Sequence, residues 1–154
     1  MWWEGEILES KRELLTADHL LKLTTSLLND EKVMISIINK ISKAVNKSII
    51  VFLEQERLRN RINMPSAERI KLKMFVTEYA KKTGLTEEES KLIFTMDKIK
   101  EMKSGWFIPL KEKIITDEYI ICSFNERTLK NYLLISNNII KKLEGYLSNA
   151  ENNP

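Results

Sequence analysis

Cysteine, histidine, proline and glycine are all scarce in this 154-residue chain, which holds one Cys, one His, three Pro and four Gly. A lone Cys excludes an internal disulfide framework, and one Cys with one His cannot complete a tetrahedral Cys/His zinc set, so no structural metal is expected. The cytoplasm is the expected compartment. So few Gly and Pro leave little turn chemistry for a many-stranded sandwich. The longest apolar run, Ser48 to Leu53, falls far short of the roughly 18 residues a membrane-spanning helix requires. The opening Met1-Trp2-Trp3-Glu4-Gly5-Glu6 has acids where an export signal has its basic region, and none is expected. Gly-rich phosphate loops, Gly-x-Ser-x-Gly and Glu-x-x-His are missing as well. Those absences remove nucleotide-triphosphate, α/β-hydrolase and di-iron carboxylate chemistry, and no cofactor is expected.

What remains is 43% hydrophobic and 31% charged, enough apolar matter for one sizeable core. The apolar residues fall at helical spacing. Ile7, Leu14, Leu21 and Leu28 recur every seventh residue, widened by Leu8, Leu15, Leu20, Leu23 and Leu27, and predict a first helix over residues 6–28. Met34, Ile37, Ile38, Ile41, Val45, Ile49 and Phe52 predict a long second helix that runs into Arg57–Arg61 before Pro65 forces a break. Ser66 is the expected cap of a third helix of about 17 residues, closed by Lys81-Lys82-Thr83-Gly84. Thr86 with Glu89 reads as a capping box for a fourth helix carrying Leu92, Ile93, Met96 and Ile99. From Trp106 to Ser123 the period breaks, and β-branched runs flanking Thr116-Asp117-Glu118 predict a short hairpin or extended excursion. Ser123 with Glu126 then opens a last helix whose Leu129, Leu133, Ser136, Ile140, Leu143 and Leu147 share a face. The expected fold is all-α: a single domain over residues 1–154, an antiparallel bundle of about five helices, with 1–5 and 149–154 frayed. Trp2 and Trp3 either fold back on the bundle or dock elsewhere.

Net charge is only +3, but it is unevenly spread. Residues 1–56 carry seven Lys/Arg against nine Asp/Glu, residues 57–113 fourteen against eight, and residues 114–154 four against five. Arg57, Arg59, Arg61, Arg69, Lys71 and Lys73 surround the proline-containing turn and are the candidate contacts for phosphates or a partner at one end of the bundle. The same alternation of basic and apolar residues also arises on an ordinary amphipathic helix with solvated cations. His19 is the one candidate base. Its neighbour Asp18 points about 100° away on a helix, so a functional reading needs a carboxylate from the second helix, Glu54 or Glu56, whereas the structural reading puts His19 at the edge of the apolar face. Glu87-Glu88-Glu89 suits a helix N-terminus, and Cys122 in its apolar run suits a buried position.

The run Asp18-His19-Leu20-Leu21 with Thr24, the long helix to Glu54-Gln55-Glu56-Arg57-Leu58, and the later Tyr119-Ile120-Ile121-Cys122-Ser123 and Asn125-x-Arg127 resemble uncharacterised archaeal helical-bundle proteins. More distantly the arrangement is similar to the HEPN superfamily of bundles, many of them RNA-cutting toxins or their relatives. Active members carry an Arg four to six residues before a His. Here Arg12 lies seven before His19, so the resemblance implies a non-catalytic member that contacts RNA or protein, or a degenerate ribonuclease. Taken together, the sequence reads as a binding or scaffold protein rather than an enzyme. Its expected partner is a protein or a second copy of itself, with RNA as a further candidate at the basic end and no membrane.

Overall fold

The computed structural model describes residues 1–23, 31–60, 62–101, 114–115, 120–121 and 126–152. The fold is all-α. Five helices follow in order: α1 Trp2–Leu23, α2 Glu31–Asn60, α3 Glu68–Glu78, α4 Glu87–Glu101 and α5 Glu126–Asn152. Of the expected excursion, Ile114–Ile115 (β1) and Ile120–Ile121 (β2) pair antiparallel, Ile114 opposite Ile121. The rest of 106–123, with Trp106, Cys122 and the Ser123 cap, lies outside the described residues. No helix among the described residues is long and apolar enough to cross a membrane.

Helix α2 is the axis of the bundle and touches each of the other four helices. Its 30 residues span about 45 Å, and Met34, Ile37, Ile38, Ile41, Val45, Ile49 and Phe52 are completely buried. Helix α1 runs antiparallel to it: Trp2 donates its indole N–H to Gln55 Oε1 at 2.9 Å, and Lys47 bridges Glu6 at 3.3 Å and Glu9 at 2.6 Å. Helix α5 is antiparallel to α1 in turn, since Trp3 Nε1 donates to Glu151 at 2.5 Å while Lys11 meets Glu144 at 2.7 Å. At one end of the core Phe52 sits edge-on to Phe75, Tyr79 and Tyr146, with ring centroids 5.3–5.5 Å apart. One α2 side chain thus joins α3, the turn after it, and α5.

Both chain ends correct the expectation of fraying. Trp3 is 2% exposed and its ring, pinned to Glu151, nucleates α1 at Trp2 while holding the last turns of α5 as far as Asn152. Two apolar rings at the terminus bury too much surface to leave in water. Helix α3 is also shorter than its period implies. Ser66 does not cap it; the N-cap is Ala67, with no side-chain bond. At the far end the Phe75 carbonyl accepts from both Tyr79 and Ala80, and Thr83 Oγ1 bonds the Tyr79 and Ala80 carbonyls, so side-chain and turn bonds replace the regular ladder. Gly84, at φ +82°, ends the turn where only glycine is unstrained. The fourth helix starts as expected: Glu89 N–H donates to Thr86 Oγ1 at 3.2 Å and Thr86 N–H to Glu89 Oε1 at 2.8 Å.

Candidate functional site

His19 is exposed near the C-terminal end of α1 and pairs with no carboxylate among the described residues, so it is neither a satisfied edge histidine nor half of a dyad. Its register excludes the expected partners. Trp2 lies beside Gln55, and His19 is 17 residues further along α1, which puts Glu54 and Glu56 about 25 Å away at the opposite end of the bundle. Glu54 instead binds Arg57, whose hydrogen bond holds its carboxyl below the ordinary value, with the Lys71 charge adding to the effect. Glu56 is 4% exposed and accepts from Asn60 Nδ2 at 2.7 Å.

The cations of the middle segment do not gather on one surface. Arg57 and Lys71 converge on Glu54, Arg59 and Lys73 are exposed, and Arg61 lies outside the described residues. Arg69 turns to Asp97 of α4, 3.4 Å away. The reason is helical geometry: residues two apart diverge by about 200°, so Arg69 and Lys73 share a side of α3 while Lys71 faces the other way toward α2. Glu54 and Asp97 neutralise part of the charge that remains. Among the described residues no group of three or more His, Cys, Asp or Glu is placed to hold a metal ion.

A more developed feature lies on the other side of the molecule, between α1 and α5. There a groove of about 450 Å³ is floored by Leu14 and Leu133 and edged by Leu15 and Leu134, with Lys11, Asp18, Lys130, Asn137 and Lys141 around it. Leu15 is 67% exposed and Leu134 60%, and Leu8, two turns up α1 from Leu15, is 48% exposed. Leu8, Leu15 and Leu23 therefore do not widen the buried stripe as their periodicity implies. Each sits one residue, about 100°, or two residues, about 200°, from the Ile7–Leu14–Leu21 line that α2 and α5 cover. The sequence signal was the width of the α1 apolar stripe, too broad for the neighbours available to bury it. A second depression, of about 500 Å³ along α1 and α2, is lined by Glu13, Lys32, Lys40 and Lys43 and has only Ile35 as an apolar element. It lacks the exposed leucines that mark the first.

No protein-family model, curated protein or solved structure matches the chain. Function therefore rests on the geometry of the surface itself.

Proposed function

We propose that this chain is a non-catalytic helical-bundle binding protein, a docking module or scaffold subunit whose contact face is the α1/α5 groove. One observation carries the reading: three large leucines, Leu8, Leu15 and Leu134, stand mostly in water along one seam of a fold that buries nearly every other large apolar side chain of α1, α2 and α5. Burying the exposed part of each is worth about 1–2 kcal/mol, so a partner covering all three gains about 3–6 kcal/mol before any polar contact is counted. Isolated exposed leucines are ordinary; a lined-up set over a groove marks an interaction surface. The distant HEPN-like resemblance is compatible with this reading, because a member without the Arg–His pair is left with contact surfaces rather than a cutting site.

The basic end supports a second reading, RNA contact, through Arg59 and Lys73, which are exposed and have no acidic partner among the described residues. Photo-crosslinking side chains placed singly at positions 15, 134, 59 and 73 of the chain in its native cell decide between them. Adducts at 15 and 134 that shift with a defined protein are expected. Adducts confined to 59 and 73 that collapse on ribonuclease treatment, with RNA affinity falling steeply with salt, would transfer the function to the basic end.

A further inference from the structure

We infer that the α1/α5 groove receives an acidic amphipathic helix of a partner protein, laid along the seam with apolar residues on Leu15 and Leu134 and carboxylates over Lys130 and Lys141. The inference rests on the proposed docking face and adds the chemistry of what fills it. Shape supplies the first argument. Two antiparallel helices leave a straight trough between them, and a third helix is the element whose width and ridges match such a trough. Leu8 and Leu15 are seven residues apart, about 10.5 Å along α1, the separation of i and i+7 anchors on an incoming helix. Leu14, 5% exposed, and Leu133, 9% exposed, form a floor that a narrow rod can reach and a flat lipid surface cannot.

Charge supplies the second argument. Around the groove Lys11 is matched by Glu144 at 2.7 Å and Asp18 by Lys22 at 3.0 Å. Those two pairs cancel, and the formal charge that remains among the lining residues is that of Lys130 and Lys141. Both lie on the same stripe of α5 as Leu134, one turn before it and two turns after it, so the cations flank the apolar anchor along the line an incoming helix would follow. A second copy of this chain, docking with the same face, would set these lysines against their equivalents, and a basic helix would meet the same repulsion. An acidic helix meets complementary charge at both ends of its apolar contact.

The test uses the full chain and two synthetic helices of about 20 residues with identical leucines at i, i+3, i+4 and i+7, one bearing Glu and the other Lys at the flanking positions. Fluorescence anisotropy should show the Glu helix binding at least about tenfold tighter than the Lys helix, with the gap narrowing as salt is raised. Paired K130E and K141E should reverse that order. Leu15→Ser and Leu134→Ser should each weaken the Glu helix by about five- to tenfold, with thermal melts at the wild-type midpoint because both positions face water. Equal binding of the two helices, or Glu-helix affinity unchanged in the K130E/K141E variant, overturns the inference. So does a chain dimer abolished by Leu15→Ser, or capture by phosphatidylserine vesicles without helix binding. Protein adducts at positions 15 and 134 together with no preference for the Glu helix would keep the docking face and discard the acidic helix.

Discussion

Truncating Glu89 to alanine should cost the fold about 2–3 kcal/mol, more than any other single carboxylate in the bundle. The residue is 4% exposed and does two jobs: its Oε1 accepts the Thr86 N–H at 2.8 Å, starting α4, and accepts Lys142 Nζ at 2.5 Å, tying α4 to α5. Losing the cap bond is worth about 0.5–1.5 kcal/mol, and losing a charge-assisted bond about 1.5–3 kcal/mol when both partners are dry. The Lys142 side chain is 34% exposed, so water recovers part of the second amount and the sum settles near the lower values. Glu89→Gln keeps the capping acceptor and loses the charge, so about half the penalty should remain. Urea unfolding followed by far-ultraviolet circular dichroism reads this directly. With a slope of about 1–3 kcal/mol per molar, the midpoint of Glu89→Ala should fall by roughly 1 M at unchanged slope. A double-mutant cycle with Lys142→Met should return about 1 kcal/mol of coupling. A loss below about 0.5 kcal/mol, or coupling indistinguishable from zero, would refute the idea that this contact joins the two helices.

The titration of the same group has a definite sign. Burial pushes the Glu89 carboxyl up, but the bonds from Lys142 and Thr86 outweigh it and hold the pKa below its ordinary 4.5. A folded-state pKa below the unfolded one adds stability that is complete above about pH 4.5 and lost as pH falls through the folded value. Glu89→Gln should therefore flatten part of the acid limb of the stability profile and leave its neutral plateau parallel to wild type.

Three further outcomes test the rest of the fold. Phe52→Ala removes the ring that meets Phe75, Tyr79 and Tyr146, and should cost about 3–5 kcal/mol in urea unfolding, against about 1–2 kcal/mol for Phe52→Leu. Trp3→Phe keeps most of the apolar bulk and strands Glu151, so a loss of about 1–2 kcal/mol is expected, whereas Trp2→Phe, at a ring 45% exposed, should fall within about 0.5 kcal/mol. Glu9 and Glu54 are held below 4.5 chiefly by hydrogen bonds from Lys47 and Arg57, so thermal midpoints should drop from about pH 5 to pH 3; reversing Lys47 to Glu should diminish the Glu9 share of that drop.

Much of the fold was legible in the sequence because the period of its apolar residues is strong and its helix signals are local. The α2 line from Met34 to Phe52 is wholly buried, the last helix hides Leu129, Ser136, Ile140, Leu143 and Leu147, and the Thr86–Glu89 box forms as written. The misreadings came from effects that act at a distance. Ser66 is a good cap by type, but the helix begins two residues later at Glu68, whose Oε1 lies 3.4 Å from Asn46 Nδ2 of α2. The fraying expected at residues 1–5 ignored a partner 148 residues away in the chain, Glu151, that no local pattern reveals. The six cations look like one cluster in sequence and divide in space because α3 sends alternate side chains to different neighbours.

The docking groove escaped notice for a related reason. Pattern reading assigns apolar residues at helical spacing to a core, and an interaction surface on a helix obeys the same spacing, so the two are degenerate in sequence. What separates them is the angular width of the stripe. On α1 the line Ile7–Leu14–Leu21 and the line Leu8–Leu15 lie about 100° apart, and covering both would need neighbours on three sides. The bundle provides α2 on one side and α5 on the other, so Leu14 falls to 5% exposed while Leu15, the next residue, remains at 67%. The surplus apolar surface on α1 is therefore set by the number of helices packed against it. A third neighbour supplied from outside is the arrangement that would close it, which places the function of this chain on that seam rather than on any reactive side chain.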